Sequence, residues 1–140
     1  MQKPVLSGVP SSLPAIIKAN RIQEKVRGVG FDWEKREQIW DKILEELTEL
    51  KKEIDNRSTA GIESELGDLL FSIINASRLY GIDPEAALEK TNRKFIKRFN
   101  YLEKKTIAKG ISLNGMSLDK MNEIWEEAKK NDQEDHLENL

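Results

Sequence analysis

The sequence predicts an all-α fold, a four-helix-bundle core with an extra terminal helix. Three observations carry that expectation. Apolar residues recur at helical spacing, most clearly Ile39, Ile43, Leu47, Leu50 and Ile54. Start and stop signals such as Asp83-Pro84 and Gly81 separate the periodic segments. No segment shows a convincing period-two alternation, and there is no internal repeat.

Residues 1–12 carry two prolines, a glycine and serines and read as an extended lead-in. Ser12 is a candidate cap for a first helix, with Pro14 early in it, where a missing N–H costs nothing; this helix runs to about Arg27. Gly28-Val29-Gly30 breaks it, and Asp32 is a candidate cap for a second helix over roughly Glu34 to Ile54. Residues 55–61 supply turn chemistry. A third helix over about Ile62 to Leu79 is expected to bury Leu66, Leu69, Leu70, Ile73 and Ile74. Asp83-Pro84 opens a fourth helix that continues to about Lys109, with Ala87, Leu88, Phe95, Phe99 and Leu102 facing inward. After a loop, Ser117 caps a last helix from Leu118 to about Lys130. The expected organisation is one domain over 13–131 followed by a flexible acidic tail at 132–140.

Composition bounds the function. At 140 residues the chain is long enough for one compact domain, and its 38% apolar content can supply a core. A net charge of −2 is too small for bulk nucleic-acid binding, so any attraction for anions is local. The absence of cysteine excludes disulfides, thiolate zinc sites and cysteine nucleophiles. The most apolar stretch, Leu69 to Ala76, is too short to span a bilayer, and no basic-then-apolar signal pattern opens the sequence. A cytoplasmic protein without a membrane or nucleic-acid polymer partner is the expectation.

Two acidic clusters concentrate the chemistry: Glu45-Glu46-Leu47-Thr48-Glu49 and Glu65-Leu66-Gly67-Asp68. Each places two carboxylates three residues apart, about one helical turn. At about 100° per residue, Lys42, Glu46, Glu49 and Glu53 share one side of the second helix, flanking its apolar stripe. Glu65, Asp68 and Ser72 border the buried face of the third. Border positions let carboxylates from neighbouring helices converge, and a hard divalent cation is the usual reason for tolerating the resulting repulsion. An isolated EExxE is more often a solvated helical surface; the second cluster on the next helix is what favours a metal. All-oxygen donors suit Mg2+, with Mn2+ a possible substitute. A di-iron bundle needs Glu-x-x-His pairs, and the one histidine, His136, lies in the tail.

The fourth helix carries a cationic strip in which Lys94 and Arg98, four apart, share a face. Beside a carboxylate-bound cation, such a pair suits phosphoryl transfer; in isolation it reads as a solvated or carboxylate-pairing face. Trp125 and Lys129 are also four apart. Trp125 either stacks on a nucleobase or anchors its helix to the core, and Trp33 and Trp40 are open to the same two readings, with packing favoured for Trp40.

Taken in order, the segments LPAIIKANRIQEKVRGVGFDW, WDKILEELTEL, ESELGDLLFSIINASRLYGIDPEAAL, TNRKFIKRF and SLDKMNEIWEEAKK resemble the MazG family of nucleoside triphosphate pyrophosphohydrolases, within the all-α pyrophosphatase superfamily. The resemblance implies hydrolysis of NTP or dNTP to monophosphate and pyrophosphate. It implies Glu46, Glu49, Glu65 and Asp68 as magnesium ligands, and Lys42, Lys94 and Arg98 as phosphate contacts. Trp125 and Lys129 correspond to positions that contact nucleotide. Lys94 and Arg98 would stabilise charge on the leaving pyrophosphate, and Glu45 or Glu49 would act as general base. A homodimer is implied as well. Many relatives carry two such modules in tandem, and SGVPSSLP resembles the linker before the second. Two other readings stand beside this one: a narrower enzyme acting on dUTP, dCTP or phosphoribosyl-ATP, and a non-catalytic helical module that binds nucleotide to regulate a partner. Base selection is expected near Trp33, the first helix and a partner subunit.

Overall fold

The computed structural model describes residues 3–138, with side chains described to residue 132. Among these residues no strand occurs, and no helix is long and apolar enough to cross a membrane. Five α-helices and two short 3-10 turns form two compact units, one up to Ala87 and one from Leu88.

In the first unit, α1 spans Ala15–Arg27. Its cap is Pro14, without a side-chain cap bond, so Ser12 does not play the expected role. Gly30, at φ 90°, takes a conformation that a β-carbon would strain. The turn it forms returns Phe31 N–H to the Val26 carbonyl at 3.0 Å. Asp32 does not cap the next helix. It binds Arg78 instead, with Arg78 Nη2 donating to Oδ1 at 2.7 Å, and Arg27 lies 3.7 Å away. Freed of that cap, the chain makes a 3-10 turn at Arg36–Gln38 before α2, Ile39–Asp55, begins.

Asn56–Ser58 turns the chain into α3, Thr59–Leu79. Arg57 adopts φ 55°, and the Ser58 hydroxyl accepts from Gly61 N–H at 3.1 Å, which starts α3 earlier than expected. So short a connection forces α2 and α3 antiparallel, and they form the principal helix pair of the unit. Trp40 Nε1–H donates to the Tyr80 hydroxyl at 2.9 Å, their rings lie 5.7 Å apart, and the Arg36 guanidinium covers the Tyr80 ring at 4.8 Å. These contacts pin the start of α2 to the end of α3.

Ile39, Ile74 and Ala76 are buried. Of the expected α3 core, Ile74 is buried, but Leu66, Leu70 and Ile73 are exposed by 44%, 53% and 45%. These three fall within about 60° of one another around α3, one contiguous face that stays exposed.

Helix α4, Pro84–Ala108, starts as expected: Asp83 Oδ1 accepts from Glu85 N–H at 3.0 Å, and proline occupies the first helical position. In the second unit, α4 leads through a loop containing the turn Leu113–Gly115 to α5, Leu118–Glu138, whose start the Ser117 hydroxyl caps through Lys120 N–H at 3.2 Å. Leu102, Thr106, Ile124 and Ala128 are buried there, with Thr106 bonded to the Leu102 carbonyl at 2.8 Å. Helix α5 passes its expected end near Lys130. The last two residues of the expected tail lie outside the described residues. Leu88, Phe95 and Phe99, expected inward, are exposed.

Candidate metal centre

Glu46 stands eleven residues before Arg57 and Asp68 eleven after it, so the α2–α3 hairpin brings the middles of both helices level. The result is a group of carboxylate oxygens from Glu46, Glu65 and Asp68 all within 4.8 Å of one another. Glu46 is buried, Glu65 half-buried and Asp68 exposed. One side of the group is thus closed by protein and the other opens to solvent.

Lys42, one turn before Glu46, places Nζ 2.9 Å from Glu46 Oε1 and 3.7 Å from Glu45 Oε2. That bond is the main reason the Glu46 carboxyl is held below its usual range, and Lys42 is correspondingly raised. Glu65 moves the opposite way. Desolvation pushes it up, aided by a hydrogen bond and repulsion from Glu46 and by the charges of Asp68 and Glu49. Glu49 lies outside the group of three and pairs with Lys52 at 3.5 Å, yet its charge is felt at Glu65.

The donor set fits a hard cation. Ligand distances of about 2.0–2.6 Å put neighbouring oxygens roughly 3–5 Å apart, the scale of this group. All donors are oxygen, and positive charge would relieve the penalty on ionising Glu65. Waters or phosphate oxygens can fill the open side.

The remaining site residues named from the sequence lie in the second unit. Lys94 is exposed. Arg98 donates from Nε to Asp132 Oδ2 at 2.8 Å, and Lys97 lies 3.3 Å from the same carboxylate. Trp125 rests against Phe95 with ring centroids 5.0 Å apart, and Lys129 pairs with Glu126 at 3.6 Å.

Residues that sequence reasoning passed over line a cavity in the first unit, among them Gln23, Asn75 and Arg78. Gln23, the buried polar residue of α1, carried no signal beyond its place on that helix.

An antiparallel helical pair carrying a partly buried all-oxygen carboxylate group is an arrangement that could hold a divalent cation. Comparison with known proteins names its lineage. Residues 34–102 match the MazG nucleotide pyrophosphohydrolase domain. The nucleoside triphosphate pyrophosphohydrolase/pyrophosphatase MazG of Thermotoga maritima is 46% identical over 121 residues, covering 86% of this chain and 46% of the relative. The Escherichia coli nucleoside triphosphate pyrophosphohydrolase is 38% identical over 131 residues, covering 92% and 50%. YabN of Bacillus subtilis is 45% identical over 69 residues, 49% of this chain and 14% of that protein. Over residues 34–102 the chain is a MazG-type domain, and it spans about half the length of the Thermotoga and E. coli relatives.

Proposed function

We propose that this chain hydrolyses nucleoside triphosphates, NTP or dNTP, to monophosphate and pyrophosphate, using Mg2+ held by Glu46, Glu65 and Asp68 with Glu49 completing the set. The observation that carries the reading is the 4.8 Å convergence of carboxylate oxygens from two helices. The names of the Thermotoga and E. coli relatives supply the reaction class.

When bound, the cation neutralises triphosphate charge, polarises the attacked phosphorus and lowers the pKa of a bound water. The chain's own residues do the rest. Lys42, which balances Glu46, offers its ammonium to a phosphate oxygen. Attack falls at the α-phosphorus. Glu45 or Glu49 orients and deprotonates the water. Glu45 is the more solvated of the two, its side chain 62% exposed against 45% for Glu49.

We also propose a cytoplasmic homodimer. Its support is the row of exposed apolar residues on α4: Leu88, Phe95, Ile96 and Phe99 are exposed by 45%, 57%, 58% and 39%. Sedimentation of the purified chain tests this, a monomer at micromolar concentration contradicting it.

The deciding experiment offers a panel of NTPs and dNTPs with and without Mg2+ and follows pyrophosphate release. Metal-dependent release across several bases supports the reading. Release from one nucleotide alone indicates a narrow enzyme, and binding without release a regulatory module.

A further inference from the structure

Asp132 on α5 answers two cations of α4. Arg98 donates from Nε to its Oδ2 at 2.8 Å, and Lys97 Nζ lies 3.3 Å from Oδ1, so each carboxylate oxygen has its own partner. The Arg98 and Asp132 side chains are 16% and 19% exposed, against 63% for Lys97. In a pair so far withdrawn from water, removing either partner strands a poorly solvated charge, unlike at a surface ion pair. The Arg98 bond is also the main reason that the Asp132 carboxyl is held below its usual range. Phe95, about one turn before Arg98, meets Trp125, about two turns before Asp132, with ring centroids 5.0 Å apart. An aromatic contact and an ion pair thus clamp the same stretch of α4 to α5.

The bond leaves the rest of the guanidinium open. Among the described residues, Arg98 bonds through Nε, and neither of its Nη atoms is a sealed polar atom without a partner. The Nη edge therefore meets solvent with donors to spare. A guanidinium held at Nε does not swing freely, so that edge points one way. Such a fork pairs bidentately with the oxygens of a phosphate. Two cations share one carboxylate, which leaves the cluster net positive. Lys94, exposed one turn before Arg98, adds an ammonium on the same side of α4. These donors suit an anion with oxygens on more than one centre. Pyrophosphate, a product of the proposed reaction, is such an anion.

We propose that Asp132 is a positioning residue: by holding Arg98 at Nε it aims the Nη edge at pyrophosphate oxygens. The inference rests on the reading of this chain as a triphosphate pyrophosphohydrolase. Charge alone gives the opposite expectation, because removing a negative group beside Arg98 should draw an anion in more tightly. The sign of the effect of Asp132→Asn on pyrophosphate affinity therefore separates aiming from simple electrostatics.

The test titrates inorganic pyrophosphate, with Mg2+ present, into wild type, Asp132→Asn, Arg98→Ala and the double variant by calorimetry. Turnover of nucleoside triphosphate by the same wild-type preparation is followed alongside. Asp132→Asn should weaken pyrophosphate binding about tenfold, the lower end of what losing an orienting outer contact costs a metal ligand. In the Arg98→Ala background the same substitution should change affinity by less than about twofold, because it acts through Arg98. If Asp132→Asn loses its helical circular dichroism, Asp132→Glu, which keeps the charge and displaces the carboxylate, carries the same comparison. Tighter or unchanged binding in Asp132→Asn, an equal loss in both backgrounds, or no pyrophosphate binding by an active wild type overturns the inference and leaves the hydrolase reading intact. Absence of turnover by wild type overturns the two together.

Discussion

Lys42 Nζ sits 2.9 Å from Glu46 Oε1, within the group of acidic side chains that Glu46 forms with Glu65 and Asp68. The ammonium and the proposed divalent cation would therefore draw on the same carboxylate, and the ammonium is the group a phosphate can recruit. Lys42→Met should leave Mn2+ affinity in the absence of nucleotide equal or tighter, because a competing positive charge is gone. Nucleotide KM should rise about tenfold, the scale of one charge-assisted hydrogen bond. Weaker Mn2+ binding in Lys42→Met would show that the lysine supports the cation site.

Removing a carboxylate from the group should be far more severe. Glu49→Ala and Asp68→Ala are each expected to lower kcat/KM by at least about a hundredfold, a loss on the scale of removing one strong electrostatic stabiliser. Both should keep the wild-type circular dichroism, since Glu49 and Asp68 lie outside the buried core. Turnover that survives both substitutions refutes the assignment.

Metal should stabilise the fold as well as serve chemistry. Three carboxylates within 4.8 Å repel when ionised, and a cation bound to the native state alone shifts unfolding by about 2.7 kcal/mol at a hundred times its Kd. Thermal melts with and without Mg2+ should show a clear rise in Tm for wild type and almost none for Asp68→Ala. Equal rises in both would place the stabilising ion elsewhere.

Asp32 gives a pH-dependent stability of known sign. The Arg78 hydrogen bond, opposed by desolvation, holds its carboxyl below the usual value. A carboxyl depressed on folding adds stability that is full above the unfolded value and is lost as pH falls through the folded one. Asp32→Asn should cost about 1.5–3 kcal/mol near neutrality, as loss of hydrogen bonds to a charged group does. In urea titrations that difference should shrink below about pH 4, the ordinary range of an aspartate. A difference that persists undiminished into acid excludes the ion pair as its source.

Much of this architecture was legible because it depends on local rules. The α2 stripe, the Asp83-Pro84 start and the Ser117 cap are encoded within a few residues. So was the convergence of Glu46 with Glu65 and Asp68, which needs only helical spacing and a short turn at Arg57. What escaped depended on distant partners. Asp32 sits where a helix cap belongs, and only the fold brings Arg78, 46 residues on, to claim it. Gln23 sits on a helix with no mark to distinguish it, since the Phe71 carbonyl that it bonds lies 48 residues away. Phe95 and Phe99 obey inward periodicity, yet periodicity does not say whether the covering surface belongs to the same chain.

The central claim, that α2 and α3 together hold one divalent cation, is tested most directly by Mn2+ binding followed by electron paramagnetic resonance. The free-ion signal is titrated against wild type, Glu46→Gln, Glu65→Gln and Asp68→Asn. The account predicts saturable loss of free signal with wild type and at least about tenfold weaker binding in every variant, on either helix. Binding of wild-type strength in all three variants would contradict it.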